Sequence, residues 1–531
     1  MRPSPRSNTL AALALAALLL TPIIALIVQG ARLATDPSTL GRAVADFSAS
    51  TSLRLWDYAW GSLAVASGAT AVAGFSGVAS AFFLARWTLP CHRLLLVLAI
   101  VPLGMPSYLA TYTWVDSLVD WGIPGGLVRS LPAAWLLLGL ALSPYVFLAA
   151  FAAFAQTPRN LTESARLLGR TRWGVFWSVE APLAAPAIIT SCLLVTMEVF
   201  ADFGTVEHLA LDTWSTGVYR SWSAYYDPQQ AIMLALTLLV AVAALSALMR
   251  RTRAAQSSRP SVRALEAVPR QPVGPLAMTL ATAAILLPAM VVGLYPLAVL
   301  GMRWFAAAAR GDFGFDHRGL GLAAPWLDSL KLSTAGAVLV LVVGVSIVVL
   351  LQRCRSPVGQ AALRLGLMGY ALPGTVLALG LLLIMTPLGL GGSMIAVLLA
   401  YVVRYVTVVV TPLENAWLRL PQPLFEQARI LGATPMQSLK RVGWPLMRPT
   451  LSAATILTAL DIFKELPATL MLRPFGMDTL AINVYGLASD ERLAEAAPAA
   501  LTLMATCLLG LVLAIRAGAF AGVMTPPRSF P

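Results

Sequence analysis

The sequence predicts an all-α polytopic membrane protein with about twelve transmembrane helices, arranged as two parallel six-helix repeats. Three observations lead there. Of 531 residues, 58% are hydrophobic and 11% charged, where soluble domains carry roughly 25% charged residues. Apolar stretches near the roughly 20 residues that a bilayer-spanning helix needs recur all along the chain. The second part of the chain also repeats part of the first, Pro158 to Pro186 against Pro421 to Pro449.

Taken in order, the apolar runs cover residues 9–29, 61–85, 94–115, 131–154, 183–205, 229–249, 275–299, 332–352, 366–388, 393–413, 446–470 and 497–516. The first follows Arg2 and Arg6, as in a secretory leader, yet its core is long enough to span and counts as a span. Pro102 and Pro106 should interrupt the third span and Pro373 with Gly374 the ninth, because proline has no N–H to donate. Such breaks are tolerated where they border protein or a cavity. Residues 250–274 carry six arginines with Ser and Pro and no apolar periodicity, which reads as a flexible cytoplasmic linker. It separates a first six-span half, residues 1–249, from a second, residues 275–531. Six being even, both halves enter the membrane from the same side, a parallel repeat about the membrane normal.

The formal charge is +13, which in a soluble chain would suggest a nucleic-acid partner. Here the basic residues fall between the apolar runs. With the N-terminus inside, 24 of the 37 Lys and Arg lie within or at the edges of inner segments and 10 on outer ones. That excess sets orientation. Both termini are therefore expected in the cytoplasm, with lipid around the chain and no nucleic acid. None of the three lysines, Lys331, Lys440 and Lys464, follows a glycine, which excludes a G-x-x-x-x-G-K-[ST] phosphate loop. The chain is expected to be no enzyme and to bind no cofactor of its own. Cys91, Cys192, Cys354 and Cys507 lack CxxC spacing and His92, His208 and His317 stand singly, so neither disulfides nor a metal site is assigned.

In the repeated segment, 12 of 29 positions are identical, among them Glu163/Glu426, Ala165/Ala428, Arg166/Arg429, Gly169/Gly432, Thr171/Thr434 and Pro182/Pro445. Each copy reads as two short helices joined by a sharp turn, between the fourth and fifth spans of its half. Asn160 with Glu163 is expected to form an N-cap and capping box, with Pro423 at a first-turn position in the second copy. Gly169 and Gly432 supply the residue that takes positive φ at a helix C-terminus. Thr171 and Thr434 are expected to cap the next helix, Pro435 standing just inside it, and Pro182 and Pro445 to end it before the membrane begins. Kept twice in one chain while other loops diverged, the hairpin reads as functional.

Each copy resembles the E-A-A-x3-G-x9-I-x-L-P signature of ATP-binding-cassette importer permeases. The first runs Glu163, Ser164, Ala165, Gly169, Val179, Ala181, Pro182; the second runs Glu426, Gln427, Ala428, Gly432, Val442, Trp444, Pro445. Ser164 and Gln427 depart from the middle alanine, and Ala181 and Trp444 from the leucine. The resemblance implies that each loop is a coupling helix pair seated in a cleft of an ATPase subunit. One copy of this chain would then meet two copies of a cytoplasmic ATP-binding-cassette subunit, which hold the ATP, and an extracytoplasmic substrate-binding protein. The runs Glu198 to Val206, Tyr219 to Trp222, Tyr370 to Val376 and Lys464 to Gly476 extend the resemblance over nearly the whole chain, to fused ferric-iron transport permeases. Thiamine and polyamine permeases share the fold and part of these motifs. The expected function is thus the permease subunit of an ATP-driven, binding-protein-dependent importer for ferric iron; thiamine or polyamine import and a six-plus-six secondary transporter are the alternatives.

Glu198 and Asp202 sit four apart near the outer end of the fifth span, and Asp461 and Glu465 hold the same places in the eleventh. Spacing of i, i+4 would put each pair on one helix face. Acids within a bilayer are expensive unless they face water or a partner, which points to a transport pathway, and hard cations favour carboxylate oxygens. The competing reading is structural: Lys464 and Arg404 neutralise some of them, and the pairs fasten span ends.

Overall fold

The computed structural model describes residues 5–35, 51–257, 268–309 and 322–520. Among them, ten helices are long and apolar enough to cross a bilayer, and two bent pairs bring the number to twelve. They follow the expected order: Ser7–Thr35, Leu55–Arg86, His92–Gly104 with Ser107–Asp120, Leu131–Ala155, Trp173–Ala201, Pro228–Thr252, Pro275–Ala306, Ala323–Arg353, Pro357–Ala371 with Gly374–Met385, Met394–Leu418, Lys440–Phe463 and Leu493–Arg516. The chain is an all-α, multi-pass membrane protein.

The third and ninth spans break at Pro106 and Pro373, whereas Pro102, also expected to interrupt the third, lies inside the helix His92–Gly104. A proline pushes the residue before it out of the helical region. Met105, before Pro106, is extended at φ −93°, ψ 136°, and Leu372, before Pro373, at φ −77°, ψ 127°. The helices on either side meet at 88° in the third span and 118° in the ninth. Both extended residues are buried, so the broken backbone is sheltered by protein, the condition under which such breaks survive at membrane depth.

The described residues form two compact units. One comprises residues 5–35, 322–483 and 505–520; the other comprises 51–257, 268–309 and 484–504. In the first, the opening helix Pro5–Thr35 packs on Ala323–Arg353, Pro357–Gly366 and Gly374–Met385, burying Leu19 and Leu26. In the second, Pro275–Ala289 packs on Thr51–Arg86 and His92–Gly104. The opening span of each sequence half thus belongs with the other half's helices. Sequence division and packing division of the chain are different things here. Within the second unit, the helices Thr51–Arg86 and Leu131–Ala155 pack side by side. A Cβ on Gly77 would come within 2.8 Å of the Ser143 carbonyl oxygen, so this crossing takes only glycine, the usual device where lipid supplies no hydrophobic drive between helices.

The 250–274 segment needs correction as a wholly flexible linker. The sixth-span helix runs on through its first arginines to Ser257. At its far end, Gln271 N–H donates to the Arg86 carbonyl at 2.8 Å and Thr88 N–H donates to the Gln271 carbonyl at 3.0 Å. Backbone pairing, which composition does not report, fixes this end. Residues 258–267 and the stretch from Asp312 to Arg318, expected outside, lie outside the described residues.

Candidate functional site

The two hairpins fold alike because their sequences repeat the same stop signal. In the first, helix Arg159–Leu167 ends at Leu168, and Gly169 takes φ +82°. Gly169 N–H then donates to the Arg166 carbonyl at 2.9 Å and Arg170 N–H to the Ala165 carbonyl at 3.1 Å. In the second, helix Gln422–Ile430 ends at Leu431, Gly432 takes φ +80°, and Gly432 and Ala433 donate to Arg429 and Ala428 at 3.0 and 2.9 Å. Both are Schellman turns, which satisfy the free carbonyls of a helix end. The Ala165 and Ala428 carbonyls receive the long bond of each turn.

The second helices also start as expected. Gly174 N–H donates to Thr171 Oγ1 at 3.1 Å. In the other copy, Gln437 N–H donates to Thr434 Oγ1 at 3.3 Å and Thr434 N–H to Gln437 Oε1 at 2.9 Å, a reciprocal capping box. Pro435 opens that helix, and Pro423 stands in the first turn of the preceding one.

Two expectations fail. Asn160 and Glu163 form no capping box: the first helix starts directly after Pro158 with no side-chain cap, and Asn160 already lies inside the first turn. Glu163 pairs instead with Arg159 at 2.5 Å. Pro182 and Pro445 do not end the second helices either. Five-residue π-helical turns, Phe176–Glu180 and Leu439–Gly443, precede them, with Ala181 N–H donating to the Phe176 carbonyl. Each proline then falls in the first turn of the following helix, where its missing N–H is no loss. The helical chain therefore passes from hairpin into span without a stop, over Trp173–Ala201 and Lys440–Phe463.

Each turn presents bulky apolar side chains to solvent. Leu167 and Leu168 are 88% and 83% exposed, Ile430 and Leu431 84% and 86%. Sequence reading singled out the repeated Glu, Ala and Gly of the motif; Leu168 and Leu431 are identical positions of the repeat that it gave no role, and it passed over Leu167 and Ile430, which occupy equal places in the two copies. It also passed over Arg86 and Glu180. Their ion pair is 2.8 Å long with both side chains under 10% exposed, and the guanidinium also donates to the Phe154 carbonyl at 2.8 Å. An acid two residues before Pro182, at the foot of an otherwise solvated loop, was the available signal.

At the far ends of the same spans lie the acids. The helix Ala181–Ala201 stops before Asp202 and Trp444–Phe463 before Glu465, so neither pair shares one helical face as spacing suggested. Asp202 and Glu465 instead cap the short helices that follow. Asp202 accepts from Thr205 N–H at 3.1 Å, Val206 N–H at 3.3 Å, Thr205 Oγ1 at 3.2 Å and Ser107 Oγ at 3.0 Å. Glu465 accepts from Ala468 and Thr469 N–H, each at 2.9 Å, and from Thr469 Oγ1, with Arg404 3.8 Å away. Asp461 pairs with Lys464 at 3.1 Å, and Glu198 is half-buried. Among the described residues, no three His, Cys, Asp or Glu side chains gather as metal ligands would.

Twelve crossings and a twice-built, outward-turned hairpin define a polytopic permease. Residues 69–260 match the family described as binding-protein-dependent transport system inner membrane component. That stretch is an ABC permease domain. It is 24% identical over 438 residues to the Fe(3+)-transport system permease protein FbpB 2 of Haemophilus influenzae, covering 81% of this chain and 83% of that one. It is 29% identical to the probable sulfate transport system permease protein cysT of Chlorokybus atmophyticus over 26% of this chain and 51% of the relative. It is also 29% identical to the spermidine/putrescine transport system permease protein PotB of Haemophilus influenzae, over 27% and 55%. These two alignments span about half of the relatives' own length.

Proposed function

We propose that the chain forms the membrane pore of an ATP-driven importer of ferric iron, fed by an extracytoplasmic binding protein and driven by two copies of a cytoplasmic ATPase subunit that hold the ATP. The exposed pairs Leu167–Leu168 and Ile430–Leu431 carry the reading. An apolar pair on a Schellman turn, repeated at equal places, suits a groove on a partner that itself comes twice. Glu163, Ala165, Gly169, Thr171 and Pro182, with Glu426, Ala428, Gly432, Thr434 and Pro445, would shape the two docking hairpins. Both hairpins and both termini would then face the cytoplasm, in a bacterial inner membrane.

The same geometry suggests how a stroke reaches the pore. Closure of the two ATPase subunits would displace each hairpin. Because each π-turn carries the helix onward into the fifth or eleventh span, displacement at the turn would move the whole span. Asp202 and Glu465 fasten the far ends of those spans to the next short helices, so the movement would arrive at the segments near Glu198 and Asp461. These four acids would border the pathway, two by holding its wall and two by offering oxygen to a hard cation. Iron as cargo rests on the relative aligned over most of the chain; a polyamine remains the second reading because of the shorter alignment. Uptake of labelled ferric ion by cells expressing the system, with spermidine and thiamine as competitors, tests the assignment. Iron uptake indifferent to both supports it; spermidine or thiamine uptake indifferent to iron overturns it.

A further inference from the structure

We propose that Arg86 is a positioning residue that makes the first hairpin the stiff one of the two, so that the paired loops transmit unequally. The first hairpin leaves the fourth span at Phe154 and rejoins the membrane after Glu180. Arg86, the last residue of the second-span helix, holds both points at once: Nε donates to Glu180 Oε1 and Nη2 to the Phe154 carbonyl, each at 2.8 Å. Phe154 lies in the last turn of its helix, where its carbonyl also accepts from Thr157 N–H at 3.1 Å and a cation is favoured. One buried guanidinium thus ties the two stalks of the hairpin to each other and to a third helix.

The tie extends to the tip. Gln271 N–H donates to the Arg86 carbonyl, and the Gln271 side-chain oxygen, with the amide turned to face it, accepts from Arg166 Nη1 and Nη2 at 2.7 and 2.8 Å. Phe82 adds apolar support, its ring 4.9 Å from that of Phe176 and stacked on Trp173.

Among the described residues, the second hairpin shows no counterpart of this brace. Along the matching helices Thr51–Arg86 and Ala323–Arg353, Ser62 corresponds to Ser329 and Gly77 to Gly344 at one spacing, which places Arg353 opposite Arg86. Arg353 is exposed. Where the first copy has Glu180, the second has Gly443. The arginine survives in both halves, and the carboxylate that would bury it exists in one. A buried charge pair is weak evidence of stability in itself, since apolar residues of similar volume often replace one at no loss. Its value here is geometric: it fixes where the stalks stand.

The proposal rests on the hairpins being ATPase docking sites and is tested in the complete transport complex. Arg86→Met with Glu180→Leu replaces the pair by apolar residues and should leave the amount of assembled complex unchanged. Amide exchange over residues 159–180 should speed up about tenfold and ATP hydrolysed per cargo imported should rise about tenfold, a usual size for coupling between sites. Exchange over residues 422–443 should stay as in the wild type. Wild-type exchange and a wild-type ratio in the assembled double variant would overturn the proposal. Should that variant fail to assemble, Arg86→Lys, which keeps the charge but not the two-armed grip, is read in the same way: a raised ratio supports the brace, an unchanged ratio overturns it. A wild-type complex that imports nothing on ATP would instead refute the docking reading beneath it.

Discussion

Replacing Gly169 and Gly432 by asparagine, alanine and valine in turn separates backbone conformation from side-chain bulk. Both glycines sit at φ near +80°, and a Cβ built on either meets nothing within 4 Å. The penalty is therefore conformational alone. A left-handed residue costs roughly 1–2 kcal/mol for most side chains, with asparagine tolerated because its short amide bonds locally. Alanine at the low end of that range should reduce the population of docking-ready turn about fivefold, and valine at the high end about thirtyfold. Asparagine, larger than alanine, should do less harm than alanine. The assay is affinity of the purified permease for its ATPase subunit, measured beside thermal stability, which should barely move because the turn is exposed. A ranking by size, with alanine milder than asparagine, or unchanged affinity throughout the series, would refute the reasoning.

Changing Leu167 and Leu168 to serine should leave the melting temperature unaltered, since both are more than 80% exposed, yet weaken ATPase binding by about 1–3 kcal/mol as interface anchors do; the same change at Ile430 and Leu431 should act alike in a binding titration. Glu465→Ala leaves the Ala468 and Thr469 N–H groups without their acceptor and Arg404 without its nearby carboxylate, at a cost of about 3 kcal/mol in thermal unfolding. Asp202→Asn should be milder than Glu465→Gln, because the donors on Asp202 are neutral hydroxyl and amide groups. Single cysteines placed at Ser257 and at Asp312 in a cysteine-free background should label with an impermeant reagent only after permeabilisation at the first site and in intact cells at the second; the opposite pattern would invert the topology.

The span count and order were legible because the signal is compositional: about 20 apolar residues in a row mean one crossing. Pro106 and Pro373 even located the two bends, since proline acts on the residue beside it. The Schellman turns were legible for the same reason, glycine at Gly169 and Gly432 being a local requirement. What the sequence hid is non-local. Nothing about Pro182 announces the π-turn ahead of it, so a proline that reads as a stop became the first turn of a continuing helix. Spacing put Glu198 with Asp202 on one face; the helix ends one residue too early for that, because the Asp202 carboxylate serves the next helix. The brace of Arg86, Glu180 and Gln271 joins residues 94 and 185 positions apart in sequence, which no motif spacing within one loop can show.

The account turns on the hairpins taking energy from ATPase partners and passing it through the fifth and eleventh spans. Accumulation of ferric ion in proteoliposomes containing the permease, its ATPase and the loaded binding protein, with and without ATP, measures this directly. The account predicts uphill accumulation that requires ATP and disappears when Gly169 and Gly432 are both changed to valine while the permease stays folded. Accumulation by the permease alone, driven by an ion gradient and indifferent to ATP and to both glycines, would contradict it.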